Sequence, residues 1–129
     1  MGAPYFKYTD ICKKNNVAVF SSNFSLYTNI SDRVMHTLSQ FAPKIELYSV
    51  DEAFLDLSGF EHWDLKEYGH EIKRVVEQNV GIPVSIGIGP TKVLAKVATR
   101  VAKKSTKANG VVDISDPKLR DIALKIVNV

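Results

Sequence analysis

The chain has 129 residues, 45% apolar and 24% charged, with a formal net charge of +3 and a single cysteine. That is one domain's length with enough apolar content for a real core. One cysteine excludes an internal disulfide and a Cys-rich zinc site, and fits a reducing compartment. No apolar run approaches the roughly 20 residues that span a bilayer, so no membrane partner is expected.

In chain order, the first 16 residues are weakly patterned, and "VAVFSS" (17–22) reads as a short strand leading into a helix cap at Ser22 or Asn23. Apolar Tyr27, Ile30, Val34, Leu38 and Phe41 then step by three and four up to Pro43, which predicts a helix over about 24–41. The period changes to two in "KIELYSV" and "EAFLDLS", the signature of an antiparallel hairpin. Its tip carries Asp51 and Glu52 side by side.

Asp64, with Glu67 three residues on, opens a second helix whose Leu65, Tyr68, Ile72, Val75 and Val76 share a face as far as Asn79 and Gly81. In "IPVSIGIGP" (82–90), bulky Ile82, Val84, Ile86 and Ile88 alternate with small residues, so the expected strand has one nearly bare face that something can approach closely. Thr91 can cap a third helix with Leu94, Val97, Ala98 and Val101 inward and Lys92, Lys96, Arg100, Lys103 and Lys104 outward. A short strand near "GVVDIS" and a last helix begun by Asp116 and Pro117 complete the order β, α, ββ, α, β, α, β, α. Helices layered on a mostly antiparallel sheet follow, an α+β fold.

Charge is distributed unevenly. From Gln78 through Val112 there is no acid, while Lys92, Lys96, Arg100, Lys103, Lys104 and Lys107 supply six bases, which points to an anionic partner. Two adjacent carboxylates within an apolar hairpin require compensation, because an ionised carboxylate loses several kcal/mol on burial without a partner, roughly. A hard divalent cation such as Mg²⁺ supplies it, taking oxygen ligands from one or two carboxylates and completing its shell with water and substrate phosphates. An exposed, solvated Asp-Glu turn is the bland alternative, as is a solvated lysine face. Taken together, the two features suggest a polyphosphate held between them.

His36, His62 and His70 have no mutual ligand spacing, Cys12 has no nearby His, Trp63 and the tyrosines read as packing residues, and Asp56 reads as structural.

"SSNFSLYTNISDRVMHTL", "IELYSVDEAFLDLSG", "SIGIGPTKVLAKVATRVAKK" and "GVVDIS" closely resemble the Y-family translesion DNA polymerases, particularly the UmuC-like branch, over nearly the whole chain from about Pro4. The resemblance implies a two-layer, ferredoxin-like palm with helices on one face. It implies Asp51 and Glu52 as catalytic ligands of two Mg²⁺ ions and Lys103 as the residue that holds the incoming triphosphate. Lys92, Lys96 and Arg100 would support the phosphate- and DNA-facing surface. Residues 1–27 correspond to a fingers remnant and 28–129 to an incomplete palm.

The family's first strand, with another metal-binding Asp, has no counterpart in this sequence, nor do its thumb and little finger. The isolated chain is accordingly expected to be inactive and to close the resulting gap either by self-association or with "VAVFSS" as a substitute strand. Implied partners are primer-template DNA, a deoxynucleoside triphosphate, a sliding clamp and SOS accessory proteins, in a bacterial cytoplasm. Two alternatives stay open: a diguanylate-type nucleotide cyclase, whose Gly-Gly is replaced here by Ser49 and Val50, and a non-catalytic nucleic-acid-binding module using only the lysine face.

Overall fold

The structure, a computed structural model, describes residues 2–127. Residues 128 and 129, the end of the expected palm segment, lie outside the described residues. A 3₁₀ turn at Tyr5–Lys7 leads into a short helix α1 (Thr9–Lys14), followed by α2 (Phe24–Leu38). Strands β1 (Lys44–Ser49) and β2 (Glu52–Asp56) form the hairpin. Then come α3 (Leu65–Val80), β3 (Ile86–Ile88), α4 (Lys92–Lys104), β4 (Val111–Asp113) and α5 (Pro117–Ile126).

The helix starts follow from local chemistry. Asn23, Asp64, Thr91 and Asp116 each accept a hydrogen bond from a first-turn backbone N–H, of Leu26, Glu67, Leu94 and Lys118 respectively. Each satisfies one of the donors that a helix start leaves unpaired. Gly81 ends α3 in the left-handed conformation at φ 77°, where a side chain would be strained. The second helix ends at Leu38, three residues before the expected Phe41, with Ser39 as its C-cap.

The mixed α+β class is observed, with the strands arranged as two pairs. β1 and β2 are antiparallel, Glu46 facing Phe54 and Leu47 facing Ala53, with an irregularity at Tyr48. β3 and β4 are parallel, Ile86 beside Val111 and Ile88 beside Asp113, and α4 forms the crossover that a parallel pair requires. Helices flank this second pair on both sides. A side chain on Gly69 of α3 would meet Val111, Ile88 and Ile86, whereas one on Gly87 would collide with the Ala95 carbonyl and the Thr99 N–H of α4. The bare face of "SIGIG" is therefore filled by the protein's own helix. Beyond α4 lies α5, and Ala98, Ile114 and Ala123 form the buried centre of that layer with Leu94, Val97 and Val101 against it.

Two strand expectations are corrected. "VAVFSS" is no strand: residues 17–22 run without helix or strand and are exposed throughout. Their β-type composition finds no neighbouring strand, and isolated extended chain is not stable as a strand without a ladder to join. The chain thus does not use this segment as its own substitute strand. "IPVSIGIGP" pairs only from Ile86 onward, because β4 is three residues long and Pro83 has no N–H to offer a ladder.

A candidate polyphosphate and metal cleft

The hairpin turn places Val50 and Asp51 at the tip and Glu52 as the first residue of β2. Asp51 is exposed and accepts a 2.7 Å hydrogen bond from the Ser49 hydroxyl, which fixes the carboxylate over the turn. Glu52 is half-buried, and one of its oxygens lies 3.2 Å from the Lys96 ammonium of α4. The same ammonium sits 4.3 Å from the centre of the Tyr48 ring, a cation–π contact that orients it toward the hairpin.

A cleft of about 670 Å³ opens between the hairpin, α2, β3 and α4. Asp51, Glu52, Lys96 and Lys103 all line it, so the acids and two of the lysines share one concavity. The helical spacing explains the selection: positions 96, 99 and 103 fall on one face of α4, with Thr99 between the lysines at the cleft wall. Most of the remaining lining is apolar, including Ile30, Val34 and Ile72.

The other expected phosphate-facing residues stand apart. Lys92 pairs with Glu46 further along the hairpin and lies 5.6 Å from the Phe54 ring centre, outside the cleft lining. Arg100 is exposed and also outside that lining. Asp56, at the far end of β2, accepts hydrogen bonds from the Ser58 hydroxyl (2.6 Å) and N–H (3.0 Å), which hold its carboxyl below the ordinary range. Trp63 packs with Phe60 and Tyr68 in an aromatic cluster. Tyr48 and Tyr27 are the exceptions among residues read as packing: Tyr48 carries Lys96 and the exposed Tyr27 lines the cleft.

Sequence reasoning also missed Ser49 and Glu46. Ser49, two residues before Asp51, has the spacing of a side chain that bonds its own turn, which is the signal that could have found it. Glu46 had none, since its partner is 46 positions away.

Among the described residues no group of three or more His, Cys, Asp or Glu side chains converges. The donor set is two hard carboxylates, which suits Mg²⁺ because that ion is commonly held by one or two carboxylates with water and phosphate oxygens completing the octahedron.

A model of the impB/mucB/samB family matches residues 1–100. The chain is 44% identical over 117 residues to protein UmuC of Salmonella typhimurium, covering 89% of this chain and 28% of UmuC. It is 38% identical over 105 residues to DNA polymerase IV of Dehalococcoides mccartyi, covering 79% of this chain and 26% of that protein. A crystal structure of a DinB family error-prone DNA polymerase from Sulfolobus solfataricus superposes with a TM-score of 0.73 at 30% identity, over 94% of this chain and 35% of that one. The chain thus spans little more than a quarter of the length of the two sequence relatives and about a third of that solved chain.

Proposed function

Because the chain belongs to the impB/mucB/samB family, we propose that it forms the palm part of an error-prone DNA-directed DNA polymerase and that its cleft is the site of nucleotidyl transfer. One observation carries this reading: Asp51 and Glu52 open onto the same concavity as Lys96 and Lys103.

In this reading Asp51 and Glu52 hold Mg²⁺, two ions in the intact enzyme, which would supply Lewis-acid polarisation of the reacting phosphorus and stabilise the attacking and leaving oxygens. Ser49 keeps the Asp51 carboxylate in its turn position through their hydrogen bond. Lys103 neutralises the triphosphate, and Lys96 offers a second cation one helical stretch away on the same face of α4. The apolar lining keeps the dielectric low, which strengthens each of these charge contacts. Lys92 and Arg100, outside the cleft, belong to a DNA-facing outer surface.

Residues 28–129 form the palm in this assignment, and 1–27 a fingers remnant; the near absence of buried side chains before Ile30 supports the division. Primer-template DNA and deoxynucleoside triphosphates are the substrates, translesion synthesis in DNA repair and the SOS response the role, and a sliding clamp and SOS accessory proteins the further partners. A bacterial cytoplasm is the corresponding location. Among the described residues no helix is long and apolar enough to cross a membrane.

The test grafts residues 1–129 in place of the matching region of Salmonella UmuC. Template-directed, Mg²⁺-dependent primer extension is expected, with a loss of about 100-fold or more on Asp51→Ala. Extension that survives in that variant overturns the assignment. The chain on its own, with these two carboxylates as the only acids lining the cleft among the described residues, is expected to give no extension.

A further inference from the structure

Two lysines of α4 reach across to the hairpin, and each holds it in the same way. Lys92 pairs with Glu46 of β1 and lies 5.6 Å from the ring centre of Phe54 of β2. One helical turn on, Lys96 pairs with Glu52 of β2 and lies 4.3 Å from the ring centre of Tyr48 of β1. Each ammonium engages one acid and one ring, drawn from opposite strands. Glu46 and Phe54 face each other in the hairpin register, and the Phe54 and Tyr48 rings meet edge to face at 5.5 Å. The spacings match: four residues of helix advance about 6 Å and two residues of strand about 6.7 Å. Lysines at 92 and 96 therefore fall beside side chains at 46 and 48.

The two clamps differ in their relation to the cleft. Glu52 and Lys96 line it, whereas Glu46 and Lys92 stand outside its lining. Under the function proposed for the cleft, on which this inference rests, Glu52 becomes a metal ligand and Lys96 loses its acid. The pair of Glu46 and Lys92 then still ties the hairpin to α4. That helix also carries Lys103, seven residues beyond Lys96 and lining the same cleft. The tie accordingly sets how far the hairpin acids stand from the cation that meets the triphosphate.

We infer that Glu46, acting through Lys92, is a positioning residue for nucleotidyl transfer: it holds Asp51 and Glu52 in register with Lys103 while Lys96 is disengaged. Lys92 gains a task besides its place on the DNA-facing surface. Both side chains of the pair are exposed, so it adds little to stability. Its leverage is on rate, because a misplacement of about 1 Å by a change far from the chemistry can cost about 100-fold.

Glu46→Gln in the UmuC graft separates this role from DNA contact, since an acid has no charge with which to grip phosphate. A fall in kcat of about five- to tenfold is expected, with the KM for the deoxynucleotide and the affinity for DNA within about twofold of wild type. Glu46→Lys combined with Lys92→Glu rebuilds the pair in reverse and should recover most of that kcat at saturating DNA. A wild-type kcat in Glu46→Gln, or tighter DNA binding as its only effect, shows that Glu46 merely masks a lysine and overturns the inference. So does a reversed pair no faster than Glu46→Gln. The free chain gives a readout without turnover. With Lys96→Met removing the other clamp, ¹⁵N relaxation should find the amides from Glu46 to Phe54 near the order parameter of about 0.85 of rigid backbone, and adding Glu46→Gln should bring them toward about 0.6. Amides already mobile in Lys96→Met alone, or still rigid in the double variant, also overturn it. A graft that gives no extension at all defeats the polymerase reading instead, and the relaxation measurement still decides whether Glu46 holds the hairpin.

Discussion

The Lys96 ammonium and the Glu52 carboxylate lie 3.2 Å apart, joining the basic helix to the acidic hairpin across 44 positions of sequence. Both side chains are partly open to solvent, at 44% and 39%, so the pair adds little to stability: such contacts contribute about 0–1 kcal/mol. Its consequence is for occupancy of the cleft. Lys96 is the counter-charge of Glu52 in this structure, and in the proposed function a metal ion would compete with it for that place.

Replacing Lys96 with Met should therefore raise the affinity of the cleft for Mn²⁺ or Mg²⁺ by about two- to fivefold, as a competitor for Glu52 is removed. Calorimetric titration reads it directly. The melting temperature should hardly move. A drop in metal affinity would show that Lys96 orients Glu52 for the ion instead of competing with it.

Gly87→Ala should be among the more destabilising single changes in this chain. Its new methyl would enter the space of the Ala95 carbonyl and Thr99 N–H, both backbone of α4, which cannot rotate away. Overpacking of this kind costs about 1–3 kcal/mol, seen as a lower denaturant midpoint at unchanged slope. Gly69→Ala meets side-chain methyls of Val111 and Ile88, which can shift, and should cost less.

Tyr68→Phe removes a 2.6 Å hydrogen bond from the Tyr68 hydroxyl to the Phe41 carbonyl, the link between α3 and the chain that follows α2. Burial raises the Tyr68 hydroxyl's pKa, and a half-buried carbonyl left without its donor loses stability. About 1 kcal/mol is expected, again by chemical denaturation. The aromatic packing of Phe41, Phe60 and Trp63 on the ring persists in the variant.

Acid sensitivity should trace in part to Asp56. The Ser58 hydroxyl, then the Ser58 N–H, favours its ionised form, so its pKa is lower folded than unfolded. The resulting stabilisation is complete above the pKa of the unfolded carboxyl and is lost as pH falls through the folded value. Ser58→Ala should raise the Asp56 pKa in an NMR titration and make the melting temperature fall less steeply below about pH 4. An unmoved Asp56 titration would contradict the hydrogen-bond origin of the shift.

The caps at Asn23, Asp64, Thr91 and Asp116 were legible because capping is a contact between residues two or three apart. So were the helix faces, set by a 3.6-residue period, and the hairpin with its acids at the tip, set by a two-residue one. The strand "VAVFSS" was misread for the complementary reason: a strand exists only where another strand meets it, and alternation in one segment contains no information about its partner. The role of Gly87 and Gly89 was half legible. Their bareness showed that something approaches, and only the packing identified it as α4.

By itself the sequence determined which side chains carry charge and on which local element each one sits, since turns, caps and periodicity are short-range properties of the chain. Only the tertiary structure decided that Lys96 and Lys103 line the same cleft as the acids while Lys92 is held by Glu46 and Arg100 lies elsewhere. It alone revealed the open cleft between two separate strand pairs. The physical reason is that these relations depend on how α4 is rotated against the hairpin, and that rotation is fixed by Gly87 admitting the backbone of α4 to close contact with β3.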